Sequence, residues 1–255
     1  MFSTFIAALR TLATFVGVAV YIVCVAPPVL VWTLASRDAR LLYRAGAGGV
    51  ALGFFLAGVR LDVVGAEHIQ VGKAAVYAAN HSSNIEPPAV FLALRPLFPL
   101  LSVLYKAELR NVPILVWVFD AAGFVPLERA NRGQSLPAVA GAAAAISEGR
   151  SFIIFPEGTR SRTGELLPFK KGGLVMAIQA QVPVVPVAVS GARAAMRRGG
   201  VLVYPVTVRI EFAAPVPTKG MGFEDRHQLV ASVRRSIQDC LTPGEQGPTP
   251  RDSMS

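Results

Sequence analysis

His81 and Glu86 set an imidazole and a carboxylate five positions apart in the stretch Asn80-His81-Ser82-Ser83-Asn84-Ile85-Glu86. Residues 74–79 before it form an apolar run of strand type. Pro87-Pro88 and residues 89–94 after it read as a helix whose first turn tolerates proline. The pair thus falls at a strand-to-helix turn, where the backbone can fold the Glu back toward the ring. A neutral imidazole accepts a proton from an alcohol only if the correct nitrogen is free. A carboxylate on the other nitrogen fixes the tautomer and stabilises the imidazolium that forms. The spacing therefore suits a general base. The alternative is a His capping a turn and a Glu complementing a helix N-terminus.

A second polar cluster follows the apolar residues 151–155: Pro156-Glu157-Gly158-Thr159-Arg160-Ser161-Arg162. Gly158 permits a tight turn, and Arg160 offers a planar fork of donors suited to phosphate. Between the two clusters lies Gly123-Phe124-Val125-Pro126-Leu127-Glu128-Arg129, a strand ending in another arginine. After them comes Val182-Pro183-Val184-Val185-Pro186. Arg129 and Arg160 each follow a strand and could converge at one edge of a sheet. The alternative for Arg129 is a solvated surface charge. Ser82 and Ser83 adjoin the base but lack a Gly-x-Ser-x-Gly context, so neither is read as a nucleophile.

Taken in order, Asn80-His81 with Glu86, Gly123-Phe124-Val125-Pro126 with Arg129, Phe155-Pro156-Glu157-Gly158-Thr159-Arg160, and Val182-Pro183-Val184-Val185-Pro186 resemble the four-motif pattern of the glycerolipid acyltransferases. The resemblance runs from about residue 60 to about residue 217. Glu86 stands where that family most often has Asp; it keeps the charge and adds a methylene. The resemblance implies acyl transfer from an acyl thioester, acyl-CoA or acyl carrier protein, to the free hydroxyl of 1-acylglycerol-3-phosphate, giving phosphatidate. His81 would be the general base oriented by Glu86, and Arg129, Glu157, Gly158, Thr159 and Arg160 would line the acceptor site. The thioester is a co-substrate, and no separate cofactor is implied. Alternative acceptors are another lysophospholipid, an aminolipid or glycerol-3-phosphate. A non-catalytic membrane-binding scaffold on the same fold is the rival from another class.

Composition agrees with lipid chemistry. The 255 residues are 53% hydrophobic with net charge +9, and mean hydropathy is +0.49. A basic excess calls for an anionic partner, and the apolar content favours lipid over nucleic acid. His68, His81 and His227 are too scattered for a metal site. Cys24 and Cys240 make no disulfide framework. No charge falls between residues 11 and 35, long enough to span a bilayer, and Arg10, Arg37, Arg40 and Arg44 flank the run. Pro27-Pro28 interrupts it, so the helix is expected to kink or end there. Residues 45–59 form a second apolar run. The two make either one kinked span with an interfacial segment or a helical hairpin dipping into one leaflet. The flanking arginines favour a cell-membrane protein with its catalytic part on the cytoplasmic face. Ala26-Pro27 is a poor cleavage site, which argues against a signal peptide.

From residue 61 onward short apolar strands alternate with helical patterns. Strands are expected at 61–64, 74–79, 101–105, 123–127, 151–155, 184–189 and 206–212. Helices are expected at 89–94, 113–122, 135–148 (capped by Ser135), 173–180 and 223–241. This predicts an α/β fold, a layered mixed, partly parallel sheet flanked by helices, preceded by a membrane-embedded helical segment. The expected organisation is a helical region at 1–59, an acyltransferase domain at 60–241 and a disordered tail at 242–255.

Overall fold

The computed structural model describes residues 2–127, 132–197 and 199–241. The chain opens with α1 (Phe2–Ser36), turns at Arg37-Asp38-Ala39 and returns as α2 (Arg40–Ala57). Arg10 lies against Gly58, Thr14 and Val18 against Gly53, and Tyr21 against Gly48 and Gly49, so the two helices run antiparallel. Glycines on α2 are what allow the close approach; a Cβ at Gly48 would lie 2.7 Å from the Tyr21 hydroxyl. Tyr21 Oη also donates to the Ala45 carbonyl at 2.9 Å. The helix does not end at Pro27-Pro28, and α1 runs through both. The prolines remove two backbone donors, but Val29, just beyond them, is buried and its carbonyl accepts from Thr33 Oγ1 at 2.8 Å. Packing along the hairpin outweighs the local penalty. At about 1.5 Å per residue α1 is roughly 50 Å long, and its large side chains Phe15, Val20, Val23 and Trp32 stay exposed.

Seven strands follow: β1 (Arg60–Val64), β2 (Val76–Ala79), β3 (Leu101–Lys106), β4 (Val125–Leu127), β5 (Ser151–Ile154), β6 (Val184–Ser190) and β7 (Thr207–Phe212). They form one sheet in the order β1-β7-β6-β2-β5-β3-β4. All adjacent pairs are parallel except β6–β7. The helices α3 (Glu86–Ala93), α4 (Pro113–Ala122), α5 (Arg132–Ser147) and α6 (Gly172–Ala180) connect the parallel strands; α7 (Ala192–Ala195) and α8 (Arg226–Cys240) complete the fold. α5 begins before Ser135, which sits inside the helix rather than capping it. Arg132 and Gln134 are themselves good helix formers and carry the first turn further back. The tail at 242–255 lies outside the described residues.

Side-chain alternation divides the core. Tyr77 and Ala79 of β2 face a layer with α2 and α3, while Val76 and Ala78 face a layer with α5, α6 and α8. All of β2 is buried, as expected of a central parallel strand. On α8 the stripe Leu229, Val233 and Ile237 is fully buried at helical spacing. Pro186 sits inside β6, yet its ring falls where pairing with β7 lapses, between the Val184–Val216 bridge and the Val187–Phe212 pair. Its carbonyl still accepts from Ala213 N at 2.9 Å. The remaining histidines are structural or exposed: His68 Nδ1 bonds the Phe212 carbonyl at 2.8 Å, and His227 Nε2 lies 3.1 Å from Lys171 Nζ. Both cysteines are free thiols.

Candidate active site

Five parallel strands end at one edge of the sheet, the usual place for a site in this architecture. β2 delivers His81 there and β5 delivers residues 156–160. Ile85 opens α3, and Glu86 is its first residue, with Pro87 and Pro88 completing the first turn. That geometry turns the Glu86 side chain back over residues 81–82. His81 Nδ1 lies 2.8 Å from Glu86 Oε2. Ser82 N–H donates to both carboxylate oxygens at 2.9 and 2.8 Å, and Ser82 Oγ–H donates to Oε1 at 2.6 Å. Glu86 is fully buried, whereas the His81 side chain keeps 18% of its surface open. Ser82 thus turns both of its donors on Glu86, and a neutral His81 that donates from Nδ1 would complete the set and leave Nε2 open. The Phe155 ring packs on the imidazole with centroids 4.5 Å apart.

The turn is braced from both sides. Asn80 bonds both backbone groups of Val189, at 2.9 and 2.7 Å, which ties the base to β6. Ser83 Oγ donates to the Met196 carbonyl at 2.7 Å. Ser82 and Ser83 are therefore spent on positioning. Glu157 is only 3% exposed. Its Oε1 accepts from His81 N–H at 2.6 Å and its Oε2 from Leu167 N–H at 3.0 Å. The His81 carbonyl in turn accepts from Ser161 N–H at 2.7 Å. Glu157 thus clasps the turn after β2 to the loop at Leu167. Burial, with a smaller push from the Glu86 charge, raises its carboxyl to about 7; the two backbone donors and Arg234 pull the other way. Arg234 also bonds the Leu166 and Leu167 carbonyls, holding that loop.

Gly158 takes a left-handed φ of +68°, and the Lys170 side chain lies across it, 3.0 Å from where a Cβ would stand. Thr159 is exposed and Arg160 half-buried at this turn. Lys170 and Arg160 so place positive charge beside the clasp. Arg129 lies outside the described residues. Among the described residues no group of His, Cys, Asp and Glu could hold a metal ion.

Beside the dyad opens an apolar cavity of about 690 Å³. Its walls come from α1 and α2 (Val18, Gly46, Gly53), from α3 (Pro88, Phe91) and from α4 (Val118). Ile85 and Pro87, the neighbours of Glu86, also line it. Sequence reasoning missed this cavity, the clasp role of Glu157 and the anchor Tyr43. Tyr43 Oη sits within hydrogen-bond reach of the Leu101 carbonyl and of the Ala122 carbonyl, the latter at 2.9 Å, and its single proton, given to either, pins α2 against the sheet and α4. The one available signal was the glycine repetition in residues 45–53, which marks close helix approach.

Residues 60–190 match the family described as Acyltransferase. The chain belongs to that family. Among the curated relatives of this chain, one from Limnanthes douglasii named 1-acyl-sn-glycerol-3-phosphate acyltransferase is 35% identical over 179 residues, 69% of this chain and 61% of its own length. A human relative named 1-acyl-sn-glycerol-3-phosphate acyltransferase alpha is 29% identical over 208 residues, covering 76% and 69% of the two chains. The chain therefore spans about three fifths of the length of the plant relative. A crystal structure titled as the 1-acyl-sn-glycerophosphate (LPA) acyltransferase, PlsC, from Thermotoga maritima superposes with a TM-score of 0.77 at 27% identity, covering 94% of this chain and 99% of that one.

Proposed function

We propose that this acyltransferase transfers an acyl group from a thioester to the free hydroxyl of 1-acylglycerol-3-phosphate, giving phosphatidate. The observation that carries the reading is the buried Glu86 bonded to His81 Nδ1 at 2.8 Å beside a 690 Å³ apolar cavity. The names of the relatives support the acceptor. His81 Nε2 takes the acceptor's hydroxyl proton as its oxygen attacks the thioester carbonyl, and Glu86 offsets the charge that grows on the ring. The tetrahedral intermediate collapses with rupture of the C–S bond, and His81 returns the proton to the leaving sulfur. No covalent acyl-enzyme forms. Arg160 and Arg129 hold the acceptor phosphate, with Glu157, Gly158 and Thr159 forming the turn that presents Arg160 and lines the acceptor site. The cavity receives hydrocarbon, each buried methylene contributing about 0.8 kcal/mol. The donor carrier is acyl-CoA or acyl carrier protein.

The hairpin, within the region 1–59, embeds the protein in the cell membrane, and residues 60–241 work on the cytoplasmic face. In support, α1 contains a 33-residue stretch, Thr4–Ser36, long and apolar enough to cross a bilayer. Arg10 and Arg60 stand at the open end of the hairpin, beside the sheet, and Arg37, Arg40 and Arg44 stand at its turn, so basic residues flank the apolar stretch where headgroups would meet it. The test is thiol release by the purified full chain in detergent, with acyl-CoA and a panel of lysophosphatidate, glycerol-3-phosphate, a lysophosphatidylcholine and an aminolipid. Preferred release with lysophosphatidate is the expected result. Background release with every acceptor, using either acyl-CoA or acyl carrier protein as donor, overturns the reading.

A further inference from the structure

α4 is apolar along most of its length, yet among its described side chains residues 116–121 are exposed or half-buried. Its sequence, PILVWVFDAA, contains one charged residue, Asp120. Trp117 is 54% exposed, and Val112 and Leu109, which lead into the helix, are 45% and 39% exposed. Among residues 116–122 only Ala122 is buried. Phe119 packs against Tyr105 and Phe124, and Val118 and Ala122 line the cavity, so one face of the helix is covered and the face that carries Trp117 is not. Its single charge is matched locally, because Arg110 bonds Asp120 at 2.8 and 3.2 Å and also donates to Tyr105 Oη at 2.9 Å.

Two features say what covers the exposed face. First, α4 touches α1, and Val118 and Ala122 share a cavity wall with Phe15, Val18 and Ile22 of α1. The apolar cavity that the hairpin lines therefore continues onto α4. Second, β3 ends at Lys106 and the short turn Ala107–Asn111 leads directly into α4. The exposed stripe thus begins at the sheet edge that carries His81. A water-facing protein partner would have no reason to sit beside a cavity shared with the hairpin, whereas a bilayer that holds the hairpin would.

We propose that α4 and the turn before it form a second lipid-contact element, lying at the headgroup–acyl boundary with Trp117 as its anchor. This holds the mouth of the site against the bilayer. It rests on the membrane reading of the hairpin.

The chain has two tryptophans, Trp32 on α1 and Trp117 on α4, so each can be read alone. Trp32→Phe isolates Trp117, and Trp117→Phe isolates Trp32. Each full-length variant is reconstituted in phosphatidylcholine–phosphatidylglycerol vesicles, with folding checked by circular dichroism. Quenching is then measured with lipids brominated at shallow or deep acyl positions and with aqueous iodide. The expected result is that shallow bromolipids quench Trp117 more than deep ones, and that iodide quenches it far less than in the urea-unfolded chain. If bromolipids quench Trp32 while Trp117 responds only to iodide, α4 faces water; the proposal fails and the hairpin reading survives. If neither tryptophan responds to bromolipid, the hairpin reading fails and takes the proposal with it.

Discussion

Glu86→Gln removes one charge and keeps the shape. In the native site the carboxylate accepts from His81 Nδ1 at 2.8 Å and from Ser82 N–H and Oγ–H at 2.6 to 2.9 Å. A carboxamide oxygen can keep the Ser82 bonds, but its NH₂ then faces Nδ1 and donates to it. That puts the ring proton on Nε2, the nitrogen that must be free. The imidazolium formed during attack also loses its counter-charge. At a separation near 4 Å and an effective dielectric near 20 such a pair is worth about 4 kcal/mol, or about a thousandfold in rate. Thiol release with lysophosphatidate should therefore fall about 10³-fold in kcat, with little change in KM for the acceptor. Glu86→Asp keeps the charge but withdraws it by about one carbon–carbon bond, ~1.5 Å. It should lose no more than about a hundredfold. If the Gln variant matches wild type while its circular dichroism and melting are native, the carboxylate plays no part in orienting the base.

Glu157 predicts a pH dependence of stability. Its carboxyl rises from 4.5 to about 7 on folding. An acid whose pKa is raised keeps its proton in the folded state after the unfolded chain has lost it, so stability falls as pH rises from about 4.5 to about 7 and is flat above. The full displacement corresponds to about 3 kcal/mol. Melting in detergent across this window should show the slope in wild type and lose it in Glu157→Gln; an unchanged slope in the variant assigns it to another group. Gly46→Leu should shorten the preferred acyl chain, since a Cβ there meets only Phe91, at 3.8 Å, on the cavity wall. Each excluded methylene should cost about 0.8 kcal/mol, roughly fourfold in kcat/KM; an unaltered chain-length profile places the hydrocarbon elsewhere. Arg160→Ala should raise KM for lysophosphatidate about 10- to 100-fold, as for loss of a charge-assisted bond to phosphate. Unchanged KM would remove Arg160 from the acceptor site.

Local chemistry was legible in the sequence wherever a short stretch decides its own structure. α4 spans Pro113–Ala122 as expected, because proline opens it and Gly123 closes it in a left-handed conformation. The alternation Thr207–Phe212 yields the half-exposed β7. His81 and Glu86 meet because five residues of turn suffice to bring them together. What the sequence hid depends on distant partners. Glu157 gave no sign in the sequence of its bond to the His81 backbone, 76 positions away. Pro27-Pro28 looked like a helix end because nothing local reveals the antiparallel α2 that stabilises α1 through it. Tyr43, beside Arg44, carries no local signal of burial, yet it is buried and bonded to the Ala122 carbonyl. The exposed apolar face of α4 was invisible for the same reason, since hydropathy alone does not say which side of a short helix the fold will cover.

The most direct test removes the base itself. His81→Ala and wild type are compared for thiol release from acyl-CoA with lysophosphatidate in detergent, both shown folded by melting. The expected result is a fall of at least about 10²- to 10⁴-fold with the variant, at an acceptor affinity close to wild type. A folded His81→Ala protein that releases thiol at the wild-type rate would show that the proton leaves the acceptor by another route.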